Sequence, residues 1–523
     1  MTSTAGRSRW WVLAALAVTT LTVGLDSTIV SVALPTLAAD LHASNSQLQW
    51  FADSYNLTLS MALLPTGLLG DRIGRKKVLI AALVLFGASS AVCSYATDPG
   101  QLIIARAVLG VAGAAMVPMS VAVLPVVFPE EERGKAMSVW VAASAAGFPI
   151  GPILGGWMLN SFWWGSVFLI NVPVALLAIV GLVFLMPESR NPHRPRIDWI
   201  GIAASSIGLA ALTYGVILLG QNGWGDTWAL VSSIGGALAL ALFILWQMRL
   251  SRLPAGEPLI DLGLFRSRSF RWATILVCVV SFSMFGVLFA TPQFFTVVEG
   301  ADALGNGLRL LPIIGGLLVG ARAGSQLVPK LGDRVVIGAG FAVMAVGLIM
   351  GALTGSGTPY GYVAAWVAIT GAGLGLSLPA SMTVALNTLS EDATGVGSAL
   401  LQALRQVAGT IAVAVLGTVL AVGYRNRLNV TGLNDRLASA TKTSAIAGKE
   451  VAARLHSPSL LDSVRNSFVH GMSLMLWVTG IMAVVGVALA LAFLPAHSHK
   501  AASPAATGEE DEPSTDRNRG AIV

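Results

Sequence analysis

The feature that most constrains this chain is a series of long apolar runs. Fourteen runs of about 18 or more mostly apolar residues follow one another when the longer ones are split at turn signals. A helix of about 20 apolar residues spans a bilayer. The runs therefore predict an all-α, polytopic integral membrane protein with 14 transmembrane helices, starting near residues 11, 48, 78, 101, 136, 167, 198, 228, 271, 305, 335, 360, 398 and 468.

Composition excludes an ordinary soluble protein. The 523 residues are 55% hydrophobic and 11% charged, whereas charged residues make up about a quarter of a typical soluble chain. The net charge of +6 does not indicate a nucleic acid partner, because Lys and Arg fall between the apolar runs instead of forming one stripe. Both cysteines, Cys93 and Cys278, lie inside apolar runs, which predicts neither a disulfide nor a metal site.

Lys and Arg are distributed asymmetrically between the connections. Those after even-numbered runs are basic, whereas those near residues 40, 98, 162, 224 and 357 contain no Lys or Arg. The positive-inside rule then predicts a multi-pass protein of the cytoplasmic membrane with both termini in the cytoplasm. The connection 425–466 is external by parity although it is basic. Its spaced apolar residues are compatible with short amphipathic helices on the membrane surface and equally with a solvated loop.

Asp26 is an acid inside the first apolar run, Trp10 to Leu37. Placing an ionised carboxylate there costs about 3 kcal/mol, so Asp26 needs a function or a basic partner. Asp53 and Arg106 lie at a similar depth from the outer surface, given a helical rise of about 1.5 Å per residue. The three predict a proton switch in which Arg106 holds one carboxylate charged while the other exchanges a proton. A static ion pair of Arg106 and an interfacial Asp53 are the alternatives.

A glycine-rich charged turn, GLLGDRIGRKKVL, joins the second and third runs. It resembles the signature loop of the major facilitator superfamily, in which this loop latches helices and helps gate alternating access. The matching residues are Gly67, Leu69, Asp71, Arg72, Gly74, Arg75, Lys76 and Leu79.

Three further segments resemble the fourteen-helix drug and proton antiporter branch of that family. LDSTIVSVALP and WFADSYNL carry Asp26 and Asp53, and LIIARAVLGVAGAA carries Arg106. The last segment departs from the family pattern at Leu109, where glutamine is common. The resemblance implies that Asp26, Asp53 and Arg106 couple transport to protons.

The segment GFPIGPILGG is similar to the antiporter motif of the fifth helix. Glycines at these intervals permit close helix packing, and a proline removes a backbone donor and gives a place to bend. A gating motif is predicted, and a packing face without a gating role is the alternative. Its residues are Gly147, Gly151, Pro152, Gly155 and Gly156.

The resemblance implies two six-helix halves related by internal repeats, with two helices inserted between them. The predicted divisions are a cytoplasmic tail 1–10, the first half 11–188, inserted helices 198–250, the second half 270–495 with external loop 425–466, and a disordered cytoplasmic tail 496–523.

The function implied by the resemblance is proton-coupled export of amphipathic or hydrophobic drugs or antibiotics. Export of one endogenous metabolite and a transport-inactive membrane sensor or scaffold are the alternatives. Arg322 and Arg405 lie in late spans. Each could contact a substrate, or its long side chain could extend to the cytoplasmic surface. The candidate pocket residues are Tyr55, Met116, Met119, Phe148, Phe282, Phe285 and Arg405.

Motifs of other classes do not occur. The sequence contains no G-x-x-x-x-G-K-[ST] phosphate loop and no H-E-x-x-H metal helix. We therefore predict a monomeric carrier that is not an enzyme and uses no cofactor or metal. Its predicted partners are protons, a small-molecule substrate and the lipid bilayer.

Overall fold

The computed structural model describes residues 2–43, 45–189, 198–222, 225–253, 258, 260, 262–389 and 394–495. Within these residues every regular element is an α-helix, apart from the 3₁₀-helix Leu262–Arg266. This confirms the predicted all-α fold. The predicted disordered tail, 496–523, lies outside the described residues.

The first seven helices pack into one bundle. In it α5 lies along α1, α4 lies along α2 and α3, and α7 contacts α1 and α3. Because α1 begins at Thr2, the segment predicted as an N-terminal tail is helical from residue 2 onward. The bounds are α1 Thr2–Asp40, α2 Asn45–Ile73, α3 Arg75–Ser94, α4 Pro99–Val127, α5 Glu130–Ser161, α6 Ser166–Leu169 and α7 Asn171–Leu185.

A helical hairpin follows, formed by α8 (Trp199–Asn222) and α9 (Thr227–Leu250). The Asp198 carboxylate joins their adjacent ends by accepting hydrogen bonds from Trp246 Nε1 at 3.1 Å and Gln247 Nε2 at 2.7 Å. The Trp50 ring of α2 stacks on Tyr214 of α8, with 6.0 Å between ring centres. The contact between α2 and α8 attaches the hairpin to the first bundle.

The remaining helices form a second bundle. Here α12 and α13 pack along α14, and α18 contacts α13 and α15. The two bundles meet where α2 contacts α15 and where α5 contacts α11, α12 and α14. The bounds are α10 Arg268–Val297, α11 Ala303–Arg309, α12 Leu311–Leu331, α13 Asp333–Ala352, α14 Tyr360–Leu386, α15 Thr394–Arg427, α16 Asp435–Thr443, α17 Ala445–Arg454 and α18 Pro458–Phe493.

The number of membrane-spanning helices differs by one from the prediction. In the described part of the chain, 13 helical segments are long and apolar enough to cross a membrane. The exception is α2, which has 29 residues but carries several polar side chains in its first half, among them Gln47, Asp53 and Asn56. The exact count of 14 therefore stays a prediction that depends on α2.

The connection 425–466 contains two short helices, α16 and α17, which is the helical one of the two alternatives for this segment. The Tyr424 hydroxyl donates to the Thr441 carbonyl at 2.9 Å. Lys449 Nζ donates to the Thr296 carbonyl in the last turn of α10 at 2.7 Å. The helices are therefore docked on the second bundle, and their position on a membrane surface stays a prediction.

Candidate functional site

An ion pair is buried inside the first bundle, between Asp26 of α1 and Arg106 of α4. Arg106 Nη1 donates to Asp26 Oδ2, and the two residues are 1% and 0% exposed. Either charge alone would be costly at this depth, so each offsets the other. The pairing makes Asp26 and Arg106 one electrostatic unit.

Asn171, the first residue of α7, completes the surroundings of Asp26. Its Nδ2 donates to Asp26 Oδ1 at 3.0 Å and to Ser90 Oγ at 3.1 Å. Both carboxylate oxygens of Asp26 therefore accept a hydrogen bond. Asn171 is absent from the predicted site residues; the signal that points to it is a lone carboxamide at the start of an otherwise apolar segment.

Arg106 is held by α2 as well as by Asp26. Its Nε donates to the Phe51 carbonyl at 2.8 Å, and its guanidinium lies 4.7 Å from the centre of the Tyr55 ring. Asp53 follows Phe51 by two residues and is half-buried. Of the three predicted coupling residues, Asp26 and Arg106 are in contact, and the role of Asp53 stays a prediction.

The glycines of the fifth-helix motif bring α5 against the turn of α1 that bears Asp26. A Cβ built at Gly147 would lie 2.8 Å from the Leu25 nitrogen. One at Gly151 would lie 2.1 Å from Thr28 Oγ1 and 2.9 Å from the Leu25 oxygen. All three distances are shorter than real Cβ contacts, so only glycine permits this approach. The predicted close packing is present, and a gating role stays a prediction.

The same motif also faces the second bundle. A Cβ at Gly156 would lie 3.8 Å from Leu304 Cβ, which is an ordinary contact. A Cβ at Gly307 of α11 would lie 2.4 Å from Ile153 Cγ1 and 3.1 Å from the Pro149 carbonyl. Pro149 and Pro152 both lie inside α5. Helix α5 therefore connects the helix that bears Asp26 with the junction of the two bundles.

At one end of the bundles Asp71 joins the two halves. Its Oδ1 accepts a hydrogen bond from Arg75 Nη2 at 2.8 Å, and its Oδ2 accepts one from the Val396 amide at 2.7 Å. Arg75 Nη1 also donates to Ser189 Oγ at 2.6 Å. Val396 lies in the first turn of α15, where a carboxylate interacts favourably with the helix dipole. Gly74 completes the turn with a φ of 126°, which favours glycine.

We expect Asp71→Asn to loosen this end of the molecule. The variant removes a negative charge that faces the N-terminus of α15. The interaction of such a charge with the helix dipole contributes about 1 kcal/mol, which corresponds to about a fivefold change in the equilibrium between joined and separated halves. A reporter cysteine at Ser398 is suitable, because that buried hydroxyl donates to the Pro118 carbonyl across the bundle junction at 3.1 Å. Asp71→Asn should raise maleimide labelling of Ser398→Cys about fivefold.

Lys77→Gln, an exposed change in the same turn, is the matched control and should leave labelling unchanged. Equal labelling rates in the Asp71→Asn and Lys77→Gln backgrounds would show that Asp71 does not hold the two halves together.

The predicted pocket residues fall into two groups. Tyr55, Met116 and Met119 are buried within the first bundle, and Met119 packs against Gly70. Their side chains fill that interior. The other four are half-buried, and two of them, Phe148 of α5 and Phe285 of α10, meet at the bundle junction. This second group consists of Phe148, Phe282, Phe285 and Arg405.

Charged groups also lie at both ends of the bundle junction. A cleft of about 300 Å³ between α5, α12 and α14 is lined by Glu131, Lys135 and Asp333. At the opposite end Glu299 Oε2 pairs with Arg309 Nε at 2.8 Å. Burial raises the pKa of Glu299, and the Arg309 charge opposes that rise. Polar surfaces therefore border the junction on both sides.

Residues 16–413 match the family model described as Major Facilitator Superfamily. The chain belongs to this superfamily. Two relatives cover most of this facilitator's length. The tetracenomycin C resistance and export protein of Streptomyces glaucescens is 31% identical over 92% of this chain and 91% of its own. The multidrug efflux pump LfrA of Mycolicibacterium smegmatis is 30% identical over 92% of this chain and 96% of its own.

Solved structures agree on the fold of this facilitator. The proton:xylose symporter XylE matches with a TM-score of 0.60 over 94% of this chain and 96% of its own. At 18% identity this likeness concerns the fold alone. The facilitator architecture therefore follows from the family match and from the arrangement of the helices together.

Proposed function

We propose that this facilitator exports amphipathic or hydrophobic antibiotics, drugs or related metabolites across the cytoplasmic membrane in exchange for protons. The observation that carries the proposal is the buried Asp26–Arg106 pair, since an acid at this depth requires a function or a fixed partner. The names of both relatives, a resistance and export protein and an efflux pump, support export as the direction.

The pair provides a mechanism for coupling. Protonation of Asp26 removes the charge that holds Arg106, which favours a second arrangement of α1 and α4. A proton and a substrate that differ in affinity for the two arrangements then drive exchange without nucleotide hydrolysis. Asp53 is proposed as an auxiliary acid, and the close α1–α5 contact as the element that transmits the change.

The orientation is proposed from the charge distribution. The Asp71 end carries Arg72, Lys76 and Lys77, so the positive-inside rule assigns it to the cytoplasm together with both termini. A single chain is the proposed working unit, acting as a carrier and not as an enzyme.

Growth and dye-efflux assays test the function directly. Cells that carry the gene should survive a panel of amphipathic antibiotics at concentrations several-fold higher than cells without it. They should also export a fluorescent dye, and a protonophore at constant ATP should abolish this efflux. Resistance to one compound alone would favour the metabolite exporter. Identical behaviour with and without the gene would favour the sensor, and efflux that persists under the protonophore would contradict proton coupling.

A further inference from the structure

Arg405 of α15 is a cation inside an apolar helix whose partners are neutral. Its Nε donates to Ser281 Oγ at 3.2 Å, and its Nη1 donates to Gln402 Oε1 at 3.0 Å. The Met382 sulfur lies 3.9 Å from Nη1. Among the described residues no carboxylate lies within ion-pairing distance of this guanidinium, in contrast to Arg75 and Arg106. The charge of Arg405 is therefore available to a ligand.

Gln402 supplies a second unused donor beside it. The side chain is 6% exposed, and its Nε2 has no hydrogen-bond partner among the described residues. The carboxamide orientation is determined by Arg405, because a guanidinium only donates and must face the Gln402 oxygen. A buried amide donor and a guanidinium therefore lie next to each other, and both lack an anionic acceptor.

An aromatic wall continues from these donors towards the first bundle. Phe285 follows Ser281 by one helical turn, and its ring lies over Gly409, where a Cβ would be 2.4 Å from the ring. The same ring meets Phe148 of α5 edge-on, with 6.4 Å between centres. Arg405 thus contacts Ser281 of α10, and the Phe285 ring that meets Phe148 lies about one helical turn further along both helices.

From this geometry we infer that Arg405 and Gln402 form a subsite for the anionic group of an aromatic substrate. A carboxylate or phenolate accepts hydrogen bonds from the guanidinium and from Gln402 Nε2, and the attached rings pack on Phe285 and Phe148. Asp26 is already occupied by Arg106 and Asn171 and leaves no comparable site for a cation. The inference rests on the proposed export function and adds the substrate class to it.

Two probes with the same ring system and opposite charge test the subsite. These are 9-anthracenecarboxylate and 9-(aminomethyl)anthracene, titrated against the purified full chain in nanodiscs of zwitterionic lipid, so that no anionic lipid is present. The carboxylate should bind at least about tenfold more tightly than the amine, because a hydrogen bond to a charged group contributes about this much to binding. Arg405→Gln should remove that preference. Arg405→Lys, which keeps the charge, should retain part of the preference.

Two further variants complete the design. Gln402→Glu places a carboxylate beside Arg405 and should weaken carboxylate binding without weakening amine binding. Arg322→Gln removes an exposed arginine from another spanning helix and should change neither. If the two probes bind wild type equally, if neither binds, or if Arg405→Gln weakens both alike, the subsite is refuted.

Different experimental outcomes would overturn the subsite and the export function. Protonophore-sensitive efflux of the amine without a preference for the carboxylate would leave the export function standing and overturn the subsite. Carboxylate binding that depends on Arg405, without any protonophore-sensitive efflux, would support the subsite and overturn the export function.

Discussion

Asp26→Asn is expected to abolish export against a concentration gradient. Asparagine matches aspartate in shape and can accept the Arg106 hydrogen bond through its oxygen, while a flip of the Asn171 carboxamide satisfies the new amide group. It cannot take up or release a proton. Efflux in energised cells should therefore fall to the level of cells without the gene.

The substitution also leaves Arg106 without its counter-ion, so stability needs its own control. Breaking a buried ion pair by removing one partner costs about 3–5 kcal/mol. Asp26→Asn/Arg106→Gln removes both charges and should recover thermal stability relative to Asp26→Asn, yet it should remain inactive in uphill export. Efflux by the stable double variant at the wild-type rate would contradict the assignment. Asp53→Asn should reduce efflux less, because Arg106 pairs with Asp26.

The second large effect is expected from Gly151→Val. Even one added carbon at this position would lie 2.1 Å from Thr28 Oγ1 and 2.9 Å from the Leu25 carbonyl, on either side of Asp26. The backbone cannot yield as a flexible side chain can, so α5 must move away from α1. Overpacking of this kind costs about 1–3 kcal/mol. We expect a clear drop in thermal stability and, at equal expression, at least about a tenfold loss of efflux.

Gly134→Ala is the matched control within the same helix, outside the fifth-helix motif. Its added carbon would meet no atom within 4 Å beyond the backbone of its own helix. Efflux and thermal stability should stay within about twofold and about 0.5 kcal/mol of wild type. Equal tolerance of the two substitutions would show that the α1–α5 contact is not critical.

The sequence predicts the buried ion pair because an unpaired charge inside an apolar helix is energetically unfavourable. An acid and a base inside apolar runs at similar depth must neutralise each other, and Asp26 and Arg106 do. Asn171 is harder to predict, since a carboxamide costs less in a membrane than a charge and gives a weaker signal. Equal depth does not specify which side of a helix faces Arg106, so the role of Asp53 stays a prediction.

The glycine spacing of α5 predicts close packing but not its partner. Gly147 and Gly151 contact α1, whereas Gly156, one residue after Gly155, faces the second bundle. Helical periodicity separates these faces, and tertiary structure decides which neighbour each one meets. The same holds for the pocket candidates, where residue type cannot distinguish Met119 in a bundle interior from Phe285 at the bundle junction.

The comparison of 13 apolar helices with 14 predicted spans depends on one helix, α2. The polar side chains in the first half of α2 lower its mean hydropathy, although the helix packs between α4, α8 and α15. Buried polar groups that find partners in the protein need no apolar surroundings. Phe51 and Tyr55 of this helix form part of the Arg106 environment.

Substrate-driven proton movement in vesicles tests the central claim most directly. Purified wild type and Asp26→Asn are reconstituted at equal density, and an exported antibiotic identified in cells is applied as a gradient without a membrane potential. A pH-sensitive dye inside the vesicles should report proton flux opposite to the antibiotic for wild type and none above the protein-free background for Asp26→Asn. Proton flux at the wild-type rate through Asp26→Asn would show that the Asp26 carboxylate is structural and that coupling lies elsewhere.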